Sequence, residues 1–149
     1  MQIRLFQDKD ARAVSEIIRK CLREVNSKDY PPSVIRYMCR FFTPGRMKKN
    51  SRDGTVFVAE EDNRILGTAS LKDDMVLTVF VLPKHHGRGI GKRLMEKVES
   101  TAKRKGYSSV KVPASLTAVR FYRKFGYVRL KKEYNKGFGY CIMMRKRLS

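Results

Sequence analysis

The sequence predicts a single α/β domain in which a central mixed sheet of six or seven strands carries helices on both faces. Two observations support this prediction. Segments with the alternation of strands and segments with helical spacing follow one another in the order β-α-α-β-β-β-α-β-α-β-β. No linker, repeat or low-complexity segment interrupts that order, and 149 residues are enough for one hydrophobic core.

The amino-terminal third predicts one strand and two helices. Residues 1–6 alternate between polar and apolar side chains, which indicates a strand. Apolar residues then recur at helical spacing over 14–25 and, after two prolines, over 35–42. The Thr-Pro-Gly of residues 43–45 is expected to end the second helix. The polar and basic stretch 46–54 is expected to be a loop.

The middle of the chain predicts a hairpin followed by a central strand. Residues 55–60 and 65–71 are strand-like and flank a polar turn, so that they are expected to pair. Residues 75–81 are almost wholly apolar. We therefore expect them to form a strand that is buried on both faces at the centre of the sheet.

The last third predicts a helix, a strand, a short helix and a closing hairpin. Gly106 ends the first helix, because glycine readily takes the left-handed conformation at a helix end. The strand covers 109–112 and the short helix covers 117–125. The closing hairpin pairs 128–134 with 138–144.

Charge is distributed unevenly along the chain. The formal net charge is +20, and residues 1–83 hold 15 Lys and Arg against 11 Asp and Glu, whereas residues 84–149 hold 19 against 3. Such an excess attracts phosphorylated ligands and is compatible with a weak association of the basic half with nucleic acid. No long apolar run or leader pattern occurs, and the three cysteines are widely spaced, which favours a cytoplasmic protein outside the membrane.

Residues 86–91, His-Gly-Arg-Gly-Ile-Gly, form the most informative motif, and we call them the glycine loop. They follow the apolar strand and precede a helix. Backbone N–H groups at a helix start lack intrahelical partners and lie at the positive end of the helix dipole. Glycines let that backbone come close to a ligand. The motif therefore predicts a binding site for a phosphorylated molecule.

Two familiar phosphate motifs do not fit the glycine loop. The nucleotide-hydrolase motif G-x-x-x-x-G-K-[ST] would require glycine at His86 and a hydroxyl residue at Arg93. The dinucleotide motif G-x-G-x-x-G, begun at Gly87, would require glycine at Lys92.

A third motif does fit. The glycine loop resembles the pyrophosphate loop of the GNAT superfamily, the acyl-CoA-dependent N-acetyltransferases, in which Q/R-x-x-G-x-G/A follows a strand ending in V-x-P. Residues 81–83 match the strand end, and Gly89 and Gly91 match the two glycines. His86 stands where the family has Gln or Arg.

A second segment of the chain strengthens the resemblance. Residues 115–127 resemble the family segment N-x-x-A-x-x-x-Y-x-x-x-G-F, with Ser115 in place of Asn and Tyr127 in place of the final Phe. The loop and this segment occur in the family's order and at its spacing. The resemblance therefore extends over essentially the whole of residues 1–149 as one N-acetyltransferase domain.

The resemblance implies acetyl-CoA as the acetyl donor. No metal is expected, because the only histidines, His85 and His86, are adjacent and have no carboxylate or thiol beside them. In the family, the strands that match 75–81 and 109–112 splay apart, and the pantetheine arm of the cofactor lies in the cleft against the backbone of the first strand. The implied cofactor-binding residues are Val79, Phe80, Val81, His86, Gly87, Arg88, Gly89, Ile90, Gly91, Lys92, Ser115 and Tyr122.

The resemblance also implies roles in catalysis. Tyr122 matches the tyrosine beside the CoA sulfur, where a phenol can donate to the departing thiolate; a core aromatic is the alternative. Asp74 lies near the position at which some members carry a general base, with a solvated carboxylate or a water relay as alternatives. Ser115 is either a pantetheine contact or a helix cap.

The expected function is transfer of an acetyl group from acetyl-CoA to a primary amine in a ternary complex. The amine belongs to a small molecule or to a protein N-terminus or lysine, and the positive charge slightly favours a neutral or acidic acceptor. In the family, segments matching 23–50 and 127–140 shape the acceptor site. The alternative is a basic RNA- or ribosome-associated module that binds CoA without acetylating amines. A monomer and a homodimer are both compatible with the sequence.

Overall fold

A computed structural model describes all 149 residues. The seven strands are β1 (Gln2–Leu5), β2 (Thr55–Glu61), β3 (Arg64–Lys72), β4 (Met75–Val81), β5 (Ser109–Ser115), β6 (Val128–Asn135) and β7 (Gly139–Arg147). The five α-helices are α1 (Ala11–Glu24), α2 (Pro32–Phe41), α3 (Pro44–Asp53), α4 (Ile90–Arg104) and α5 (Val119–Lys124). No helix combines the length and the hydrophobicity that crossing a membrane requires.

The strands form one mixed sheet in the order β1-β2-β3-β4-β5-β7-β6. Antiparallel pairs build both halves of the sheet, and the only parallel contact joins β4 to β5 at the centre. Two hydrophobic clusters lie on the two faces. Phe57 and Ala59 of β2 contribute to the cluster under α4, whereas Val58 between them contributes to the cluster under α1. The predicted mixed α/β fold with helices on both faces is thus confirmed.

The central strands separate almost immediately after they meet. The one residue pair that β4 and β5 share is Met75 with Lys111, and the Lys111 N–H donates to the Asp74 carbonyl over 2.9 Å. Further along, β4 carries an irregularity at Thr78, whose φ of +49° lies in the left-handed region. The Thr78 hydroxyl donates to Ser70, which itself donates to the Leu77 carbonyl. Such an irregularity bends a strand. It lies in the part of β4 that no longer pairs with β5.

The loop predicted for residues 46–54 is wrong, because this stretch belongs to α3. The Thr43 hydroxyl caps the helix by accepting from the Arg46 N–H, and Pro44 occupies the first helical position, where proline is well tolerated. The Thr-Pro-Gly sequence therefore starts a helix as well as ending one. Only Met47 of α3 is buried, so that the helix has no apolar periodicity by which it could be recognised.

The prediction that β4 is buried on both faces is also wrong for most of the strand. Only Val76 is fully buried, and the other residues of β4 are partly exposed. The reason is the separation from β5, which leaves one long edge of β4 open. An apolar strand sequence thus marks the wall of a cleft in this protein.

Candidate active site

The gap between β4 and β5 forms a cavity of about 440 Å³, which we call the cleft. One end is the glycine loop, and the other end reaches Ser115 at the end of β5. Every cofactor-binding residue that the sequence predicts lines this cavity except Arg88. The structure therefore brings together residues from four separate stretches of the chain.

The glycine loop has a backbone that requires glycine at two positions. Gly87 and Gly89 have φ of +81° and +80°, and a Cβ at either position would have no neighbour within 4 Å. Glycine is therefore required at these positions by the positive φ of the backbone and not by a lack of room for a side chain. Gly91 differs, because a Cβ at this position would lie 3.2 Å from the ring of Phe121. The lack of a side chain at Gly91 lets the start of α4 pack closely against α5.

The start of α4 presents free backbone donors. The first intrahelical bond runs from the Arg93 N–H to the Gly89 carbonyl at 3.1 Å. The N–H groups of Ile90, Gly91 and Lys92 precede that bond and have no intrahelical partner. All three residues line the cleft, so that this end of the cavity can bind an anion.

Two side chains meet the β4 backbone at Val81. The Cys21 thiol donates to the Val81 carbonyl at 3.0 Å, and His86 Nε2 donates to the same oxygen at 2.7 Å. Cys21 is only 3 % exposed, and burial raises the pKa of its thiol to about 12. A thiol with so high a pKa stays protonated and is a poor nucleophile.

The Arg88 side chain points away from the cleft. Its guanidinium pairs with Glu61 at 3.0 Å and contacts His85 at 2.8 Å, and this pairing lowers the pKa of the Glu61 carboxyl. Only the backbone of Arg88 contributes to the glycine loop. Lys92 therefore supplies the cationic side chain of the predicted set that lines the cavity.

Tyr122 lies in the core and at the cleft at the same time. It is 4 % exposed, its ring packs edge-on against Phe121 and Tyr127, and it lines the cavity. Its hydroxyl makes no hydrogen bond to another protein group, and burial raises the pKa of this phenol. A neutral, unpaired O–H therefore borders the cleft and can act as a donor.

Ser115 and Asp74 have different environments. Ser115 lines the cleft, and its hydroxyl caps no helix, although the residue stands directly before a helical turn. Asp74 lies in the turn between β3 and β4 and does not line the cleft. The structure thus brings Ser115, but not Asp74, to the other predicted site residues.

Thr117 is a cleft residue that sequence reasoning missed. Its hydroxyl is the one buried side-chain oxygen or nitrogen atom in the protein without a hydrogen-bond partner. Buried polar atoms are nearly always paired, so that an unpaired one at a cavity wall indicates a place for a ligand atom. The residue lies inside the second family-like segment, at a position which that pattern leaves open.

A second cavity of about 510 Å³ adjoins the cleft, and we call it the aromatic cavity. It lies between α2, α3, β4 and the β6–β7 hairpin, and Phe41, Phe42 and Phe138 form much of its wall. Asn26, Phe80 and Ser115 line both cavities. The two spaces therefore meet at these three residues, which we call the junction.

The walls of the aromatic cavity are tied together by Tyr30. Its buried hydroxyl donates to the Tyr140 carbonyl at 2.6 Å and accepts from the Leu116 N–H at 2.9 Å. This side chain links the α1–α2 connection to β7 and to the end of β5. Neither Tyr30 nor Asn26 belongs to a motif, and no local signal in the sequence could have identified them.

The structure also holds no group of three or more His, Cys, Asp or Glu side chains placed to bind one metal ion.

Known proteins share this fold. The GCN5-related N-acetyltransferase from Rhodopseudomonas palustris is 23% identical, with a TM-score of 0.92 over 99% of this chain and 95% of that one. The PaiA N-acetyltransferase of Thermoplasma acidophilum, solved with coenzyme A, is 21% identical, with a TM-score of 0.79 over 99% and 100%. The protein YncA of Salmonella typhimurium, solved with its cofactor acetyl-CoA, is 22% identical, with a TM-score of 0.69 over 100% and 94%.

Sequence comparison gives the same result over most of the chain. The family described as acetyltransferase (GNAT) domain matches residues 27–148, which include the glycine loop, both walls of the cleft and the β6–β7 hairpin. The chain therefore belongs to the GNAT family of acetyltransferases.

Proposed function

We propose that this acetyltransferase takes its acetyl group from acetyl-CoA bound in the cleft and transfers it directly to a primary amine bound in the aromatic cavity. The observation that carries the proposal is the junction, since its three residues line both the anion-binding cleft and the aromatic cavity. Direct transfer requires both substrates to be bound at once with their reacting atoms close together. Two cavities that share three wall residues favour this arrangement.

The cleft suits an extended molecule with an anionic end. The free N–H groups at the start of α4 would bind the pyrophosphate, with Lys92 adding charge. The open edge of β4 from Val79 to Val81 would pair with the amides of the pantetheine arm, as an added strand would. The unpaired hydroxyls of Thr117 and Ser115 are further partners for the arm.

Tyr122 would stabilise the departing sulfur. The amine nitrogen bonds to the thioester carbon, the carbon–sulfur bond breaks, and CoA leaves as a thiolate. Burial raises the pKa of the Tyr122 phenol, so that it stays neutral and donates a hydrogen bond to the thiolate. Starting from the neutral amine, the nitrogen loses one proton and the sulfur gains one, so that the transfer is balanced. A protonated amine must first release one further proton to water.

No carboxylate lies at the junction to receive the proton of the amine. Asp74 lies outside the cleft, and Asp53, the acid of the aromatic cavity, stands at the far end of α3. We therefore assign the proton transfer to water at the junction, with Asp74 as a base only if the β3–β4 turn moves.

Binding and turnover together test the proposal. Acetyl-CoA should raise the melting temperature more than ATP or NAD at the same concentration, because it alone fills the cleft. Thiol release should then require a primary amine. A protein that acetyl-CoA does not stabilise would contradict the assignment of the cleft. Retention on RNA, together with acetyl-CoA binding but no thiol release from any amine, would favour the alternative module.

A further inference from the structure

The wall of the aromatic cavity changes along its length from an amide to aromatic rings to a cation. This order specifies the ligand and rests on the proposed function. The inner end of the cavity is the junction, where the acetyl group would be transferred. A row of aromatic rings leads away from that end: Phe42 lies 6.3 Å from Phe80 and 5.1 Å from Phe41, measured between ring centroids. Phe138 packs beside this row, 4.9 Å from Phe41. The middle of the cavity therefore favours an apolar body.

A cation without a counter-ion stands at the outer end of this row. The guanidinium carbon of Arg46 lies 4.4 Å from the centroid of Phe41, and the side chain is half-buried. Arg46 makes no salt bridge, although it lines the cavity. Stacking on the ring orients the guanidinium but does not neutralise it, so that its planar donors are free for an anion.

The one acid of the aromatic cavity is too distant to neutralise Arg46. Asp53 follows it by seven residues on α3, which is about 10 Å along the helix axis. Lys49 and Lys72 also line the aromatic cavity, so that its one acid stands against three cations.

An unpaired amide stands at the opposite end. Asn26 is 6 % exposed, and its side chain makes no hydrogen bond to the protein. Because Asn26 lines both cavities, its amide is open to a ligand there. At the junction, its carbonyl oxygen can accept a hydrogen bond from the N–H of an attacking amine.

We infer that the acceptor is a primary amine that carries an anionic group at the far end of an apolar body. The amine lies beside Asn26, the body follows the rings of Phe80, Phe42 and Phe41, and the anion pairs with Arg46. An α-amino acid cannot make both end contacts, because its amine and carboxylate are attached to the same carbon. An ω-amino carboxylate can. A peptide N-terminus of apolar residues followed by an acid is the other source of the same chemistry, since an extended chain advances about 3.3–3.6 Å per residue.

Matched amines test the inference in a thiol-release assay with acetyl-CoA. The compounds are 8-aminooctanoate and its carboxamide, which differ only in the charge of the far end. We expect kcat/KM to be about ten-fold higher for the carboxylate, which corresponds to about 1.4 kcal/mol. In Arg46→Gln this ratio should fall towards one. Arg52→Gln, an exposed change on the same helix outside the cavity, is the control and should keep the ratio.

Asn26→Leu tests the inner end. It should lower kcat/KM about ten-fold for the carboxylate and the carboxamide alike, leaving their ratio unchanged, because it acts on the amine. The melting temperature should not fall, since leucine replaces an unpaired amide. The second arm is a pair of apolar peptides with an amidated C-terminus, one ending in Glu and the other in Gln. Dependence on Arg46 in that arm alone identifies a peptide as the acceptor.

Equal rates for the charged and neutral compounds in both arms would overturn the inference. So would a preference that survives Arg46→Gln, or the absence of thiol release in both arms while acetyl-CoA still stabilises the protein. Failure of the proposed function is a different result, because acetyl-CoA would then not raise the melting temperature at all.

Discussion

The cleft and the aromatic cavity adjoin each other but are built in opposite ways. The cleft is made largely of backbone: an open strand edge, glycines with positive φ and the free N–H groups of a helix start. The aromatic cavity is made of side chains from distant segments, such as Asn26, Phe80 and Phe138. Few residue types permit such backbone conformations, so that a site built in this way leaves a recognisable motif in the sequence. Side-chain walls can vary freely, so that one donor site can serve many acceptors.

The largest change in activity should come from Tyr122→Phe, which removes one oxygen from the cleft and leaves the aromatic cavity unaltered. If the phenol donates to the departing sulfur, kcat should fall about 10²-fold, whereas the KM for acetyl-CoA should change little. The ring still fills its place in the core, so that stability should be nearly unaffected.

Tyr127→Phe is the matched control for that experiment. It also removes one buried phenolic oxygen, but this oxygen donates to Glu99 at 2.7 Å and lies outside both cavities. The expected result is a loss of about 1–2 kcal/mol in the free energy of unfolding with kcat nearly unchanged. If both variants lost turnover equally, Tyr122 would have only a packing role.

A smaller effect is expected from Gly89→Ala in the glycine loop. Alanine at a φ of +80° is strained by about 1–2 kcal/mol, and relief of that strain would redirect the N–H groups at the start of α4. Acetyl-CoA affinity, measured by calorimetry, should fall about ten-fold.

Gly106→Ala separates strain from binding. Gly106 also has a positive φ, +94°, with nothing within 4 Å of a Cβ, but it follows the other end of α4. Its stability cost should equal that of Gly89→Ala, with acetyl-CoA affinity unchanged. Equal losses of affinity in the two variants would show that the loop conformation does not matter for binding.

The cleft could be predicted from the sequence better than the aromatic cavity, because the first is built of backbone and the second of side chains. The glycine loop could be identified because a turn at positive φ before a helix restricts the choice of residue. The course of β4 and β5, apart from the exposure of β4, followed from the resemblance. Asn26 and Arg46 could not be found, because a side chain becomes a wall only through the folding of segments that are far apart. Helix α3 was missed since its stability comes from Thr43 and Met47 and from no apolar stripe.

Thr117→Val tests the side-chain part of the cleft and should act in two directions. Valine has nearly the same shape but no unpaired hydroxyl, so that the free protein should become slightly more stable, by up to about 1 kcal/mol. Acetyl-CoA affinity should fall about three-fold if the hydroxyl binds the pantetheine arm. Ser100→Ala, an exposed change on α4, should alter neither quantity. A stabilised variant with full affinity would leave the hydroxyl without a role in binding.

The smallest expected effect is in the pH dependence, where the two regions should again differ. Burial raises the pKa of the Tyr122 phenol, and burial raises that of the Cys21 thiol to about 12. A raised pKa keeps each group protonated until the pH rises through the raised value, so that neither should titrate between about pH 8 and about pH 10. In that window kcat/KM should rise as the acceptor amine loses its proton. It should level off for a peptide N-terminus, whose pKa is about 8, and still be rising at pH 10 for an alkyl amine, whose pKa is about 10.4. The position of the rise should follow the pKa of the amine when acceptors are exchanged. A fall on the alkaline side that is independent of the acceptor would reveal a titrating group in the protein. Loss of that fall in Tyr122→Phe would identify Tyr122 as the group and contradict its neutral role.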